Sequence, residues 1–217
     1  ATHRFGPGSR QSIAAISRVN GYLDHLQAGL DALPHGKDVY LVVVSDHGQI
    51  NKKLDDEIFL IDSVVDTQGL AIVNHGAVAF VYITGETHLS AVEIRDAINA
   101  QWLHGKAYLP GDTPPAWHVT QDSRFADVIV QADPGYLVFS GSDRVDDHSR
   151  GDHGWAPEDP GMHGIFLASG PDLPQGKRID PIRVIDVYPL MMEILGLPVV
   201  TEIDGDANML VPLLRQE

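Results

Sequence analysis

Val39-Tyr40-Leu41-Val42-Val43-Val44-Ser45-Asp46-His47-Gly48 decides the fold class of this chain. Residues 39–44 form an unbroken apolar run rich in β-branched side chains. Such a run reads as a strand buried on both faces, as in a parallel sheet. It stops abruptly at Ser-Asp-His-Gly. Open α/β sheets bind their ligands just beyond the carboxyl ends of strands. An Asp beside a His offers a hard carboxylate oxygen and an imidazole nitrogen, a donor pair suited to a divalent metal such as zinc. Gly48 is expected to let the backbone turn sharply beneath the pair. A lone Asp-His pair is more often a cap followed by a solvated loop residue. The apolar strand before this one delivers it to the place where such folds do chemistry.

Upstream, Ile13, Ile16, Val19, Leu23, Leu26, Leu30 and Leu33 recur at three- and four-residue spacing. They predict a helix over 12–33 with that face packed on the sheet, ended by Pro34-His35-Gly36. Downstream, residues 51–56 are polar, and 58–65 read as one or two short strands. Residues 77–83 form a further strand. Ser90 is an N-cap for a helix over 91–103, with Glu93 in the capping-box position. Residues 126–132 and 136–139 are strands joined through Asp133-Pro134-Gly135. The expected architecture is α/β, a mostly parallel sheet flanked by helices, with a core from 1–64 and 140–217. Residues 65–139 read as a small α+β subdomain inserted into it.

Residues 146–164 are polar, dense in Gly, Pro, His and Asp, and therefore a loop. Long loops of this composition usually carry function. Residues 165–168 read as a short buried strand. A helix over 186–195 turns Val187, Leu190, Met191, Ile194 and Leu195 inward, with Gly196 and Pro198 as stop signals.

Composition narrows the classes. The chain has 217 residues, enough for one large domain or a domain with a subdomain. Its formal net charge of −15 argues against binding a nucleic-acid polymer and suggests acidic clusters offset by bound cations. With no cysteine there is neither a disulfide framework nor a thiolate metal site. Eleven histidines are many, and metal sites are one reason to carry them. No apolar run approaches the roughly 20 residues of a membrane span. The opening Ala1-Thr2-His3-Arg4-Phe5-Gly6-Pro7 has no initiator Met, signal peptide or leading strand, and reads as the middle of a longer domain.

Four segments, in order, carry a family resemblance. His3-Arg4-Phe5-Gly6-Pro7 resembles the end of an Asp-x-x-x-His-x-x-Gly-Pro motif. Ser45-Asp46-His47-Gly48 matches Ser-Asp-His-Gly. Asp152-His153-Gly154-Trp155 resembles His-Gly-Tyr, with Trp in place of Tyr. Residues 162–171, then Tyr188-Pro189-Leu190 and Leu195-Gly196-Leu197-Pro198, resemble the closing strand and helix. Together they resemble the C-terminal part of a type I phosphodiesterase/nucleotide pyrophosphatase of the alkaline phosphatase superfamily.

The resemblance implies hydrolysis of phosphate esters at two divalent ions, usually zinc, through a covalent phospho-enzyme. One ion would be held by His3, His153 and an Asp four residues before His3. The other would be held by Asp46, His47, an earlier Asp and a nucleophilic Thr or Ser. That earlier Asp and the nucleophile fall outside these residues, so no catalytic nucleophile is expected here and the chain alone should be inactive. His163, beside the strand, is expected as an outer partner of the ligands. His148 reads as a solvated loop residue, and the segment with Arg124 and Asp127 as structural. The implied substrate is a small phosphate ester or nucleotide, in a periplasmic or extracellular setting, with oligomerisation left open. A phosphomonoesterase or phosphonate hydrolase of the same superfamily, or a non-catalytic metal-binding fragment, are the alternatives.

Overall fold

The computed structural model describes residues 1–53, 58–120, 124–141 and 149–214. Expectations for Ser123, for 54–56 and for 146–148, with His148, lie outside the described residues. In chain order the elements are α1 (Thr2–Phe5), α2 (Arg10–Asp31), β1 (Leu41–Val44), β2 (Ile50–Asn51) and β3 (Ile58–Leu60). They continue with β4 (Leu70–Asn74), β5 (Val78–Ile83), α3 (Ala91–Gln101), β6 (Gly105–Tyr108), β7 (Val128–Ala132), β8 (Leu137–Phe139) and β9 (Gly151–Asp152). The last are β10 (Phe166–Ser169), α4 (Val187–Ile194) and α5 (Ala207–Leu210). The chain divides into two compact units, Ala1–Arg18 with His47–His163, and Val19–Asp46 with Gly164–Glu217.

In the first unit, β4, β5, β7 and β6 form an antiparallel sheet in that order. The helix α3 starts with a complete capping box, the Ser90 side chain accepting from the Glu93 N–H and Glu93 accepting from the Ser90 N–H. Ile94 and Ile98, one helical turn apart, are fully buried and share a core with Ile61, Val81, Val128, Val130 and Val138. Each such side chain contributes roughly 1.5–3 kcal/mol by leaving water. Asp127 accepts the Ile83 N–H at 2.7 Å, which is a structural use of that carboxylate. Beside the sheet, β3 pairs with β8, the parallel pair among the described residues.

In the second unit, β1 pairs with β10 in antiparallel register, Leu41 opposite Ser169 and Val44 opposite Phe166. Its core is smaller: Val187, Leu190 and Leu210, with Val42, Phe166, Ile182 and Leu213 against them. Asp186 is fully buried at the start of α4 and accepts from the Arg183 guanidinium and from the Asp206 N–H.

The α/β class holds, and three details differ from expectation. Residues 39–44 are not an interior parallel strand: among the described residues β1 pairs with β10 alone, antiparallel, and Val39 and Val44 are exposed. A β-branched run specifies extended backbone but not the direction or number of partners, which distant residues set. The apolar face of α2 is also open. Ile13, Ile16 and Val19 are more than half exposed, and the buried residue of that helix is Ser12. Periodicity defines a face, not what covers it. Finally, β2, β4, β6 and β9 lie where the sequence predicts no strand, β9 within the expected loop 146–164.

Candidate metal centre

His3 lies on α1, a single turn closed at Gly6 by its N–H bonding to the Thr2 carbonyl at 2.8 Å. The chain then enters α2, where the Ser12 N–H donates to the Ser9 hydroxyl at 3.1 Å, an N-cap contact. The buried Ser12 hydroxyl donates back to the Gly6 carbonyl at 2.8 Å and ties the two helices' ends together. The β9 segment runs against α1: the Arg150 N–H donates to the His3 carbonyl at 2.8 Å. A Cβ at Gly151 would stand 2.5 Å from the Thr2 oxygen, so only glycine permits this approach.

Across from β9, β2 pairs Ile50 with Asp152. The Lys52 ammonium donates to the Ser149 hydroxyl at 2.7 Å and its N–H to the Arg150 carbonyl at 2.8 Å. This ladder sets the segment after His47 beside His153. Gly48 is needed for space rather than for the sharp turn expected of it. Its φ is not positive, its N–H donates to the Met162 carbonyl at 2.8 Å, and a Cβ would collide with the Gly161 and His163 carbonyls. Past His153, the Trp155 ring is buried and its N–H donates to the Tyr136 carbonyl at 2.9 Å. The aromatic that replaces Tyr therefore anchors this loop in the core of the first unit.

These constraints bring three histidines from distant segments together. The His47 and His153 rings stack with centroids 3.7 Å apart and 25° between planes. His3 meets His153 edge-on at 5.1 Å. His47 Nδ1 lies 2.7 Å from the Gly48 carbonyl, which can only accept, so Nδ1 is the donor to it. Asp152 joins them: one ligand atom each from His3, Asp152 and His153 lies within 4.8 Å of the others. Around a tetrahedral zinc with bonds near 2.1 Å, ligand atoms stand about 3.4 Å apart, so small side-chain rotations suffice. Two imidazoles and a carboxylate suit such an ion.

Asp46 is exposed at the end of the second unit and is described with β1. His163 is exposed, and among the described residues its side chain makes no hydrogen bond or ring contact with His3, His47 or His153. Its backbone is what matters locally, its carbonyl lying against Gly48. Asp152 stands in the Asp-His-Gly motif, and the resemblance implies no role for it. The signal available was that an Asp precedes both His47 and His153.

The model of the type I phosphodiesterase / nucleotide pyrophosphatase family matches residues 1–156. The chain belongs to that family. It is 24% identical over 196 residues to Bis(5'-adenosyl)-triphosphatase ENPP4 of Homo sapiens, covering 90% of this chain and 42% of that protein. It is 28% identical over 222 residues to ectonucleotide pyrophosphatase/phosphodiesterase family member 7 of Mus musculus, covering 98% of this chain and 48% of that protein. The solved structure of murine ectonucleotide pyrophosphatase/phosphodiesterase 5 superposes with a TM-score of 0.86 at 25% identity, over 98% of this chain and 55% of the other. An inactive form of that mouse protein, in complex with AMP, matches equally well. The chain thus spans a little under half the length of these curated relatives. Among the described residues, no helix is long and apolar enough to cross a membrane.

Proposed function

We propose that this chain contributes the metal-binding histidines of a phosphoric ester hydrolase acting on nucleotide pyrophosphates or phosphodiesters. The observation that carries the reading is the convergence of His3, His47 and His153 from three separated segments of a family member. Relatives named for adenosyl triphosphates, and a solved relative in complex with AMP, favour a nucleotide substrate. The net charge of −15 disfavours a nucleic-acid polymer. Asp46 enters the ligand set through the family motif alone.

Two divalent ions, zinc by the donor set, would supply Lewis acidity toward phosphoryl oxygens when bound. His3 on α1 and His153 just after β9 would supply imidazole nitrogens to one of them. The Gly48 carbonyl holds the His47 ring so that Nε2 faces away from its own backbone. We assign no nucleophile to these residues, so covalent chemistry is outside their role.

The test is calorimetry of the purified chain, first with zinc, then with AMP in zinc-loaded and metal-free samples. AMP binding only when zinc is loaded, and its loss in His153→Ala, is the expected result. AMP binding of equal strength without metal overturns the reading. Turnover of an aryl phosphodiester that survives repurification would show that a nucleophile is present after all.

A further inference from the structure

We infer that α2 is a self-association surface, pairing antiparallel with α2 of a second copy of this chain. The inference is independent of the metal reading. Within α2, Ile16, Val19, Leu23, Leu26 and Leu30 recur at three- and four-residue spacing, the 3.5-residue repeat of paired helices. Ile16, Leu23 and Leu30 take the a positions, and Val19 and Leu26 the d positions. Such a seam is narrower than the stripe a helix buries in a globular core. It lies open: Ile16 is 63% exposed, Val19 55% and Leu26 45%. Beside it, a Cβ on Gly29 would meet nothing within 4 Å.

The remaining positions of the helix point to the partner. Arg10, Arg18, Asp24 and Asp31 all stand at the outer b and c positions. Asn20, Tyr22 and Gln27 flank the seam at e and g without charge, so two copies meet there without like-charge repulsion, despite a net charge of −15 on each. Asn20 and Gln27 donate to Asp24 and Asp31 of their own helix, at 3.2 and 2.9 Å. The arginines occupy the first half of α2 and the aspartates the second. A parallel pair would set like halves side by side, whereas an antiparallel pair sets the basic half along the acidic one. Reversing one helix also turns its a positions onto the d positions of the other. Centred on Gly21, this places Ile16 against Leu26 and Val19 against Leu23 of the second copy, with the small Ala15 beside Gly29. Both copies use the same surface, so the pair closes with twofold symmetry. These few apolar layers fall short of a standard interface of roughly 1,200–2,000 Å², so the dimer is weak and concentration-dependent.

The experiment is sedimentation equilibrium of the whole chain as wild type, Leu26→Asn and Val19→Asn, with circular dichroism to verify folding. The average mass of the wild type should rise toward that of two chains as its concentration goes from micromolar toward millimolar. Both variants should stay monomeric. The chain has no cysteine, so single introduced ones report the orientation. Pairing centred on Gly21 sets residue 20 beside residue 20 of the second copy. Under a mild oxidant, Asn20→Cys should therefore give a disulfide-linked dimer much faster than Ser17→Cys, which lies on the outer face. Equal rates for the two overturn the antiparallel pairing. Association that survives both seam variants places the interface elsewhere and overturns the inference. A wild-type chain that stays monomeric overturns it too, and leaves this face to be covered by the further residues that the longer relatives carry.

Discussion

The chain contains Asp-His-Gly twice, at 46–48 and at 152–154, and the two copies are built differently. In the first, the glycine is pressed against the Gly161 and His163 carbonyls, so the constraint is lack of room. In the second, the glycine has open surroundings on most sides and a φ of 97°, so the constraint is backbone conformation. Asp46 closes the second unit, exposed, while Asp152 turns into the first with His153. The same three residues thus yield two geometries, because what surrounds the backbone differs.

The largest expected effect separates the histidines from their neighbours. His153→Ala removes the ring that both His3 and His47 contact, and zinc affinity by calorimetry should fall by more than about 100-fold. Next are the two glycines. Gly48→Ala should cost about 3 kcal/mol in denaturant unfolding, because the added carbon meets backbone oxygens that cannot yield. Gly154→Ala should cost only about 1 kcal/mol, the penalty of a positive φ for an L side chain. If Gly154→Ala proves the more damaging, the contrast between the two copies fails.

Between those values lies a test in the second unit. Burial pushes the Asp186 carboxyl upward, but the Arg183 guanidinium, the Asp206 N–H and the Arg183 N–H together hold it below its ordinary value of 3.8. A carboxyl lowered in the folded state contributes stability that is present above its ordinary value. That stability is lost as pH falls through the lower folded value. Asp186→Asn should remove about 2 kcal/mol near neutral pH. Melting curves from pH 3 to 7 should then show a shallower acid slope in the variant. Equal in size to Gly154→Ala is Ser90→Ala, which deletes one half of the α3 capping box and should cost about 1 kcal/mol in the same unfolding assay.

Much of this molecule is local, and the sequence carried that part. Ser90 and Glu93 start a helix, Gly196 at φ 64° ends one, and the apolar runs at 78–83 and 128–132 are strands, because capping and β-propensity act over a few residues. The histidines at 3, 47 and 153 were legible as candidates through their motifs. β4 and β6 were not. Residues 105–108 read Gly-Lys-Ala-Tyr, without alternation strong enough to mark a strand, and are extended because they bond to β7. The antiparallel partner of β1 and the open face of α2 were likewise hidden, since pairing direction and cover depend on residues far along the chain. Asp152 shows the limit most plainly. Its type and its neighbour were visible from the start, but its direction was decided by the end of β9 and the turn at Gly154, which only the three-dimensional path supplies.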